Sequence, residues 1–229
     1  MLLIRKTILY ILFFLIPIIN NAGVDDTNTA TQFYPDLYTT IHLADCGLQK
    51  EVFELALKGL KKLDTIGKLQ KRDVITIADY SQSSKQKRLY VIDLKNQKLL
   101  FNTYVAHGRN TGEEYARSFS NAEGSLKSSL GFFVTNQTMI GAETGFALTL
   151  QGVEKGINDN AERRAIIMHA ADYATENFIK VHGRLGRSFG CPALPPEMNK
   201  PIIETIKGGS CLFIYNPDNN YLAQSSLLN

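Results

Sequence analysis

Hydrophobic positions follow three different patterns along this chain. From Ile8 to Ile19 they form an almost unbroken run, preceded by Arg5 and Lys6 and followed by Asn20, Asn21, Ala22 and Gly23. A basic start, a short apolar centre and a small-residue exit are the parts of a secretory signal. The run is about 12 residues long, well under the roughly 20 that cross a bilayer as a helix. Residues 1–22 therefore read as a signal peptide cut after Ala22, with a membrane anchor as the alternative. Residues 24–40 are polar and rich in Thr and Asn, the composition of a linker.

The second pattern has a helical period. Val52, Phe53, Ala56, Leu60 and Leu63 recur on one face, with Lys50, Glu54, Lys61 and Lys62 on the other, which predicts an amphipathic helix over residues 48–63. Gly59 weakens that helix slightly. The third pattern begins after Lys71 and consists of short β-branched and aromatic runs: 74–78, 89–94, 98–105, 131–135, 146–150, 165–169 and 211–215. Lys95-Asn96-Gln97 reads as a hairpin turn. Many short strands with little helical pattern between them predict a mainly β domain. The stretch 108–129, rich in Gly, Ser, Asn and Glu, is too long for a turn, and loops of that length are often lids or binding loops. The chain thus divides into residues 1–22 (signal), 23–70 (linker and N-terminal helix) and 71–229 (main domain).

Composition narrows the class of partner. Hydrophobic residues at 44% and charged residues at 21% suit a globular domain. Without Arg5 and Lys6, the 25 basic residues fall to 23 against 22 acidic ones, so the exported protein is nearly neutral. That excludes a nucleic-acid partner, which needs a concentrated basic face. The three cysteines, Cys46, Cys191 and Cys211, leave at least one thiol unpaired in an oxidising compartment; a Cys46–Cys211 pair is one arrangement.

The chemistry lies in Arg187-Ser188-Phe189-Gly190-Cys191-Pro192. Glycine lets the backbone turn tightly beside a thiol, and N–H groups near Gly190 and Cys191 could face an oxyanion. Alone, such a cysteine is more often a small buried hydrophobe. Upstream, however, Arg164 to His169 is an apolar strand ending in histidine, and a base on a rigid element can serve a loop-borne thiol. A free thiol is mostly protonated at neutral pH, so an imidazole beside it would make it a nucleophile. His169 is the candidate base. His182, nine positions before Cys191 in a loop-like run, is the rival base or a substrate contact. His107 reads as a loop hydrogen-bonding residue and His42 as part of the linker. Ser188 orients the thiol, contacts substrate or holds a turn. Arg187 is suited to a carboxylate through its planar fork, or is a surface residue. The spacing of His169, His182 and Cys191 matches no compact zinc pattern, and no phosphate-binding glycine motif is present.

The spacing of His169 and Ser188-Phe189-Gly190-Cys191, with eighteen residues between His169 and Ser188, resembles the signature of L,D-transpeptidase catalytic domains. His107-Gly108, residues 125–132, residues 152–164 with Asn158-Asp159-Asn160-Ala161, and Gly190 to Leu194 are similar to the murein L,D-transpeptidase subgroup, and the likeness runs over about Val74 to Tyr215. The resemblance implies a β-sandwich with an N-terminal helix and a few short helices. It also implies a cysteine nucleophile that attacks peptidoglycan stem peptides, a histidine base, acylation by carbapenems and no need of a cofactor; Ser188, Gly190, Arg187 and His182 are the candidate substrate-binding residues beside that pair. Phe189 stands where the family usually has histidine, and Ala193 where arginine or asparagine is common; Arg187 would replace the missing positive charge. Three readings stay open: a transpeptidase, a stem-peptide hydrolase whose acceptor is water, and a non-catalytic wall-binding module.

Overall fold

The computed structural model describes residues 37–229. The expected signal peptide and the first part of the linker lie outside the described residues. A four-residue helix, α1 (Leu37–Thr40), is followed by α2 (Lys50–Thr65), the amphipathic helix read from the sequence. Its apolar stripe is buried, and Gly59 is the reason it sits so close: a Cβ there would stand 2.0 Å from the Phe132 ring. The glycine that weakens the helix locally is the notch that seats it on the sheet.

The strands are β1 (Lys71–Asp79), β2 (Leu89–Asp93), β3 (Lys98–Thr103), β4 (Gly131–Gly141), β5 (Gly145–Gly152), β6 (Ile167–Ala170), β7 (Ala193–Leu194) and β8 (Ser210–Tyr215). They form one sheet in the order β3-β2-β1-β8-β4-β5-β6-β7. The β1–β8 and β6–β7 pairs are parallel and the rest antiparallel. At the centre, Ile75 to Asp79 of β1 and all of β8 are buried, which explains why both are mostly apolar. The β2–β3 turn forms at the expected place, with Asp93 Oδ1 accepting from the Asn96 N–H at 2.8 Å. β4 and β5 extend past their apolar cores into a projecting hairpin that leaves Ile140 77% exposed.

The mainly β expectation holds, and the edges of the sheet meet. Immediately after β3, Ala106 exchanges backbone hydrogen bonds with Ala193 of β7 (2.9 and 3.2 Å), and His107 O accepts from Ser188 N at 3.0 Å. The first and last strands of the order are thereby joined, and the sheet curls around one core shared by α2, β1, β2, β4, β5, β6 and β8. A small second cluster, Ala106, Ala174, Leu185 and Ala193, packs where the edges meet.

Three further helices complete the fold: α3 (Glu176–His182), α4 (Pro196–Ile206) and α5 (Asn219–Gln224). Thr175 caps α3 by accepting from Phe178 N, and Gly183 ends it at φ 74°. α4 opens on proline, where the missing N–H costs nothing, and buries Ile202, Ile203 and Ile206. His182, expected in a loop-like run, is instead the last residue of α3.

Candidate active site

The cysteine loop hangs between β6 and β7. His169 pairs in register with Ala193, and its N–H donates to Pro192 O at 3.4 Å, so the parallel pairing sets the histidine level with the residues that follow Cys191. The turn itself is tied by one hydroxyl. Ser188 Oγ donates to Cys191 O at 2.6 Å and accepts from Gly190 N at 3.1 Å. Ser128 Oγ donates to Gly190 O and accepts from Gly108 N, both at 3.0 Å, joining the turn to the long 108–129 loop. Gly190 has φ 130°, and a Cβ on it would stand 2.9 Å from Lys127 O, so only glycine fits.

Cys191 is a free thiol, as are Cys46 and the fully buried Cys211. The Cys191 sulfur accepts from Ile167 N at 3.5 Å and donates to Ala165 O at 3.8 Å. Ala165 adopts the left-handed conformation (φ 52°), which is unusual for a residue with a side chain. Burial pushes the thiol pKa up, opposed by the Ile167 N–H and the Arg164 guanidinium. At rest the group is therefore the protonated thiol. His169 Nδ1 lies 2.8 Å from Ala170 O, and a carbonyl can only accept. Nδ1 therefore carries a proton, and in the neutral tautomer this leaves the lone pair on Nε2. No hydrogen bond joins imidazole to thiol; both line one cleft of about 870 Å³, with Ile166, Tyr173 and Arg164.

The other expected residues divide. Ser188 and Gly190 are buried parts of the turn, and the Gly190 N–H is spent on Ser188 Oγ rather than facing an oxyanion. Among the described residues, the Cys191 N–H has no acceptor except its own sulfur. Arg187 lines the cleft, but its Nη1 is bonded to Glu113 Oε1 at 2.5 Å. His182 is exposed, its ring tilted against Phe178 at 3.9 Å between centroids, and outside the cleft. His107 is buried; Arg88 donates to its Nδ1 at 2.7 Å and its Nε2 faces Gly112 O at 3.2 Å. Burial and the Arg88 charge lower its pKa to about 3, so it is a neutral structural link. Asn158 is fully buried in its turn and donates to Leu130 O and Phe132 O.

Sequence reasoning missed Arg164 as a site residue. Its guanidinium lines the cleft and donates to Ser120 O, Ser129 Oγ, Ser125 Oγ and Lys127 O. It clamps the long loop against the cysteine turn. All four partners lie more than thirty positions earlier in the chain, so no local pattern could announce them. Among the described residues, no group of three or more His, Cys, Asp or Glu is placed to hold a metal ion.

A sequence model of the L,D-transpeptidase catalytic domain matches residues 44–215. The chain belongs to that family. The match takes in α2 as well as the sheet. No curated protein matches the sequence. Solved structures similar to the chain include an L,D-transpeptidase from Mycobacterium smegmatis, with 12% identity over 63% of this chain and 59% of that one, and a TM-score of 0.39. Another is the helical cell shape determining protein Pgp2 from Campylobacter jejuni, with 16% identity over 69% and 56%, and a TM-score of 0.44. A third is an L,D-transpeptidase from Mycobacterium tuberculosis, with 15% identity over 63% and 58%, and a TM-score of 0.36. The chain thus spans under two thirds of the length of these proteins.

Proposed function

We propose that the protein is an exported cysteine L,D-transpeptidase of peptidoglycan stem peptides, with Cys191 as nucleophile and His169 as base. The observation that carries this reading is the sharing of one cleft by the Cys191 thiol and the His169 imidazole, in a chain of this family. Nε2 of His169 takes the thiol proton as sulfur attacks the amide carbonyl between the L-centre of the diamino acid and the terminal D-alanine. The Cys191 N–H donates to the oxyanion that develops there. The C–N bond breaks, the imidazolium returns its proton to the leaving D-alanine amine, and a thioester remains on Cys191. A side-chain amine of a second stem, deprotonated by His169, then attacks the thioester, and the thiol is re-formed with its proton. No cofactor enters.

The resting hydrogen bonds of the thiol to Ala165 O and Ile167 N imply that substrate binding turns the sulfur toward His169. In this reading Arg187 meets a carboxylate of the peptide, Ser188 and Gly190 serve by holding the turn, and His182 has no part. The signal-like sequence of residues 1–22 supports action outside the cytoplasmic membrane.

The test is to incubate the full chain with a defined stem tetrapeptide and an amine acceptor and to weigh the products. A cross-linked peptide with loss of alanine is expected. Tripeptide acid alone would replace the transpeptidase with a hydrolase, and unchanged tetrapeptide would remove the enzymatic reading.

A further inference from the structure

Beside the cleft lies a second cavity of about 370 Å³, and its wall is strongly basic. Arg109, Arg184 and Arg187 line it, with Tyr173, Phe178 and Phe189, and no carboxylate belongs to the wall. Tyr173, Arg187 and Phe189 line the cleft as well, so the two spaces share a rim. The large cleft is different in character, since Glu143 and Asp172 both face it.

Among the described residues, one carboxylate pairs with these arginines. Glu113, on the 108–129 loop, places Oε2 2.8 Å from Arg184 Nη2 and Oε1 2.5 Å from Arg187 Nη1. Arg109 lies over the Phe189 ring at 5.9 Å and has no ion pair among the described residues. Three guanidinium groups against one carboxylate leave the cavity in excess positive charge, a condition met by an anion with oxygens in one plane. The Glu113 side chain is 68% exposed while Arg184 and Arg187 are 27% and 24% exposed. The acid is thus the solvent-facing partner, free to swing away, and the arginines stay seated.

We propose that this cavity is a carboxylate-binding subsite for the peptide, and that Glu113 is an internal carboxylate that holds its arginines until the peptide displaces it. The proposal goes beyond assigning Arg187 a contact, because it adds Arg184 and Arg109, a defined space and a built-in competitor. It rests on the transpeptidase reading only for the identity of the ligand. Phe189, 67% exposed at the shared rim, stands where the usual family pattern has a basic residue, and Arg109 stacks on it.

The test reads binding rather than turnover, so it succeeds or fails separately from the catalytic proposal. N-acetyl-D-alanine and its uncharged amide are titrated into the full chain while the arginine Nε–H signals are followed by NMR, the signals being assigned with Arg184→Gln and Arg187→Gln. The acid is expected to shift both signals and the amide neither. Glu113→Gln removes the competitor and is expected to tighten the acid by about 5- to 10-fold, the scale of the two ion pairs that must open before binding. A purely structural Glu113 would give the opposite sign, because losing it would loosen the loop and weaken binding. Unchanged or weaker binding in Glu113→Gln, equal binding of acid and amide, or no shift in either protein would overturn the proposal. Arg184→Gln is expected to weaken the acid, and unchanged affinity there would also overturn it.

Discussion

At Cys191 two demands conflict. A nucleophile must become a thiolate, yet burial raises the thiol pKa and the sulfur rests against main-chain groups. In the proposed mechanism the thiol stays neutral at rest and His169 on β6 supplies the base. A general base of this kind contributes about 10²- to 10⁴-fold to rate. His169→Ala is therefore expected to lower kcat by that factor at neutral pH, measured by D-alanine release. Alkylation of the same variant by iodoacetamide above the pKa of the thiol should match the wild type, because hydroxide then does the work of the imidazole. A variant that lost both reactions would mean that His169 holds the loop rather than moves the proton. Cys191 and His169 could be read as candidates from residue type and spacing, and the structure brings both to one cleft. The duties of Ser188 and Gly190 were not legible, because the partner of each is fixed by a turn whose closure no pattern displays. Arg164 was hidden for a different reason, since all its partners are distant in the chain.

Elements were legible where their period was clean. α2 and most strands fell within a few residues of their expected places because each carries an uninterrupted apolar face. α3, α4 and α5 were not read. α3 buries none of its residues, so it has no apolar stripe to detect, and α4 carries Pro201 inside a helix that tertiary packing sustains. Helix propensity and packing oppose each other at Gly59. Propensity alone favours alanine there by about 1 kcal/mol, but the added methyl would enter the Phe132 ring. Overpacking of this kind costs about 1–3 kcal/mol, so Gly59→Ala is expected to destabilise the fold in urea titration. A stabilised variant would show that α2 stands farther from β4 than the structure has it.

At the scale of the whole molecule, a buried polar link braces the segment after β3 that meets the far sheet edge near the site. Arg88, fully buried, donates to Val105 O, Gln82 O and His107, and its guanidinium lies 4.7 Å from the centre of the Tyr80 ring. The fold holds the His107 pKa near 3 against an ordinary 6.5. Between those values the unfolded chain binds a proton that the folded protein refuses. Stability is therefore full above pH 6.5 and falls as the pH drops toward 3. By pH 5 the loss from this one group is about 2 kcal/mol. His107→Gln, which keeps an acceptor for Arg88, is expected to flatten the decline between pH 7 and pH 5, read from urea midpoints. An unchanged slope would assign the acid sensitivity to other groups.

One measurement bears most directly on the account: intact-mass spectrometry of the full chain, acid-quenched within one turnover of a stem tetrapeptide in the absence of an acceptor amine. The account predicts a covalent adduct equal to the tripeptide acyl group, mapped to Cys191 and absent from Cys191→Ala. An adduct on Cys46 or Cys211, or alanine released with no protein-bound acyl group, would contradict it.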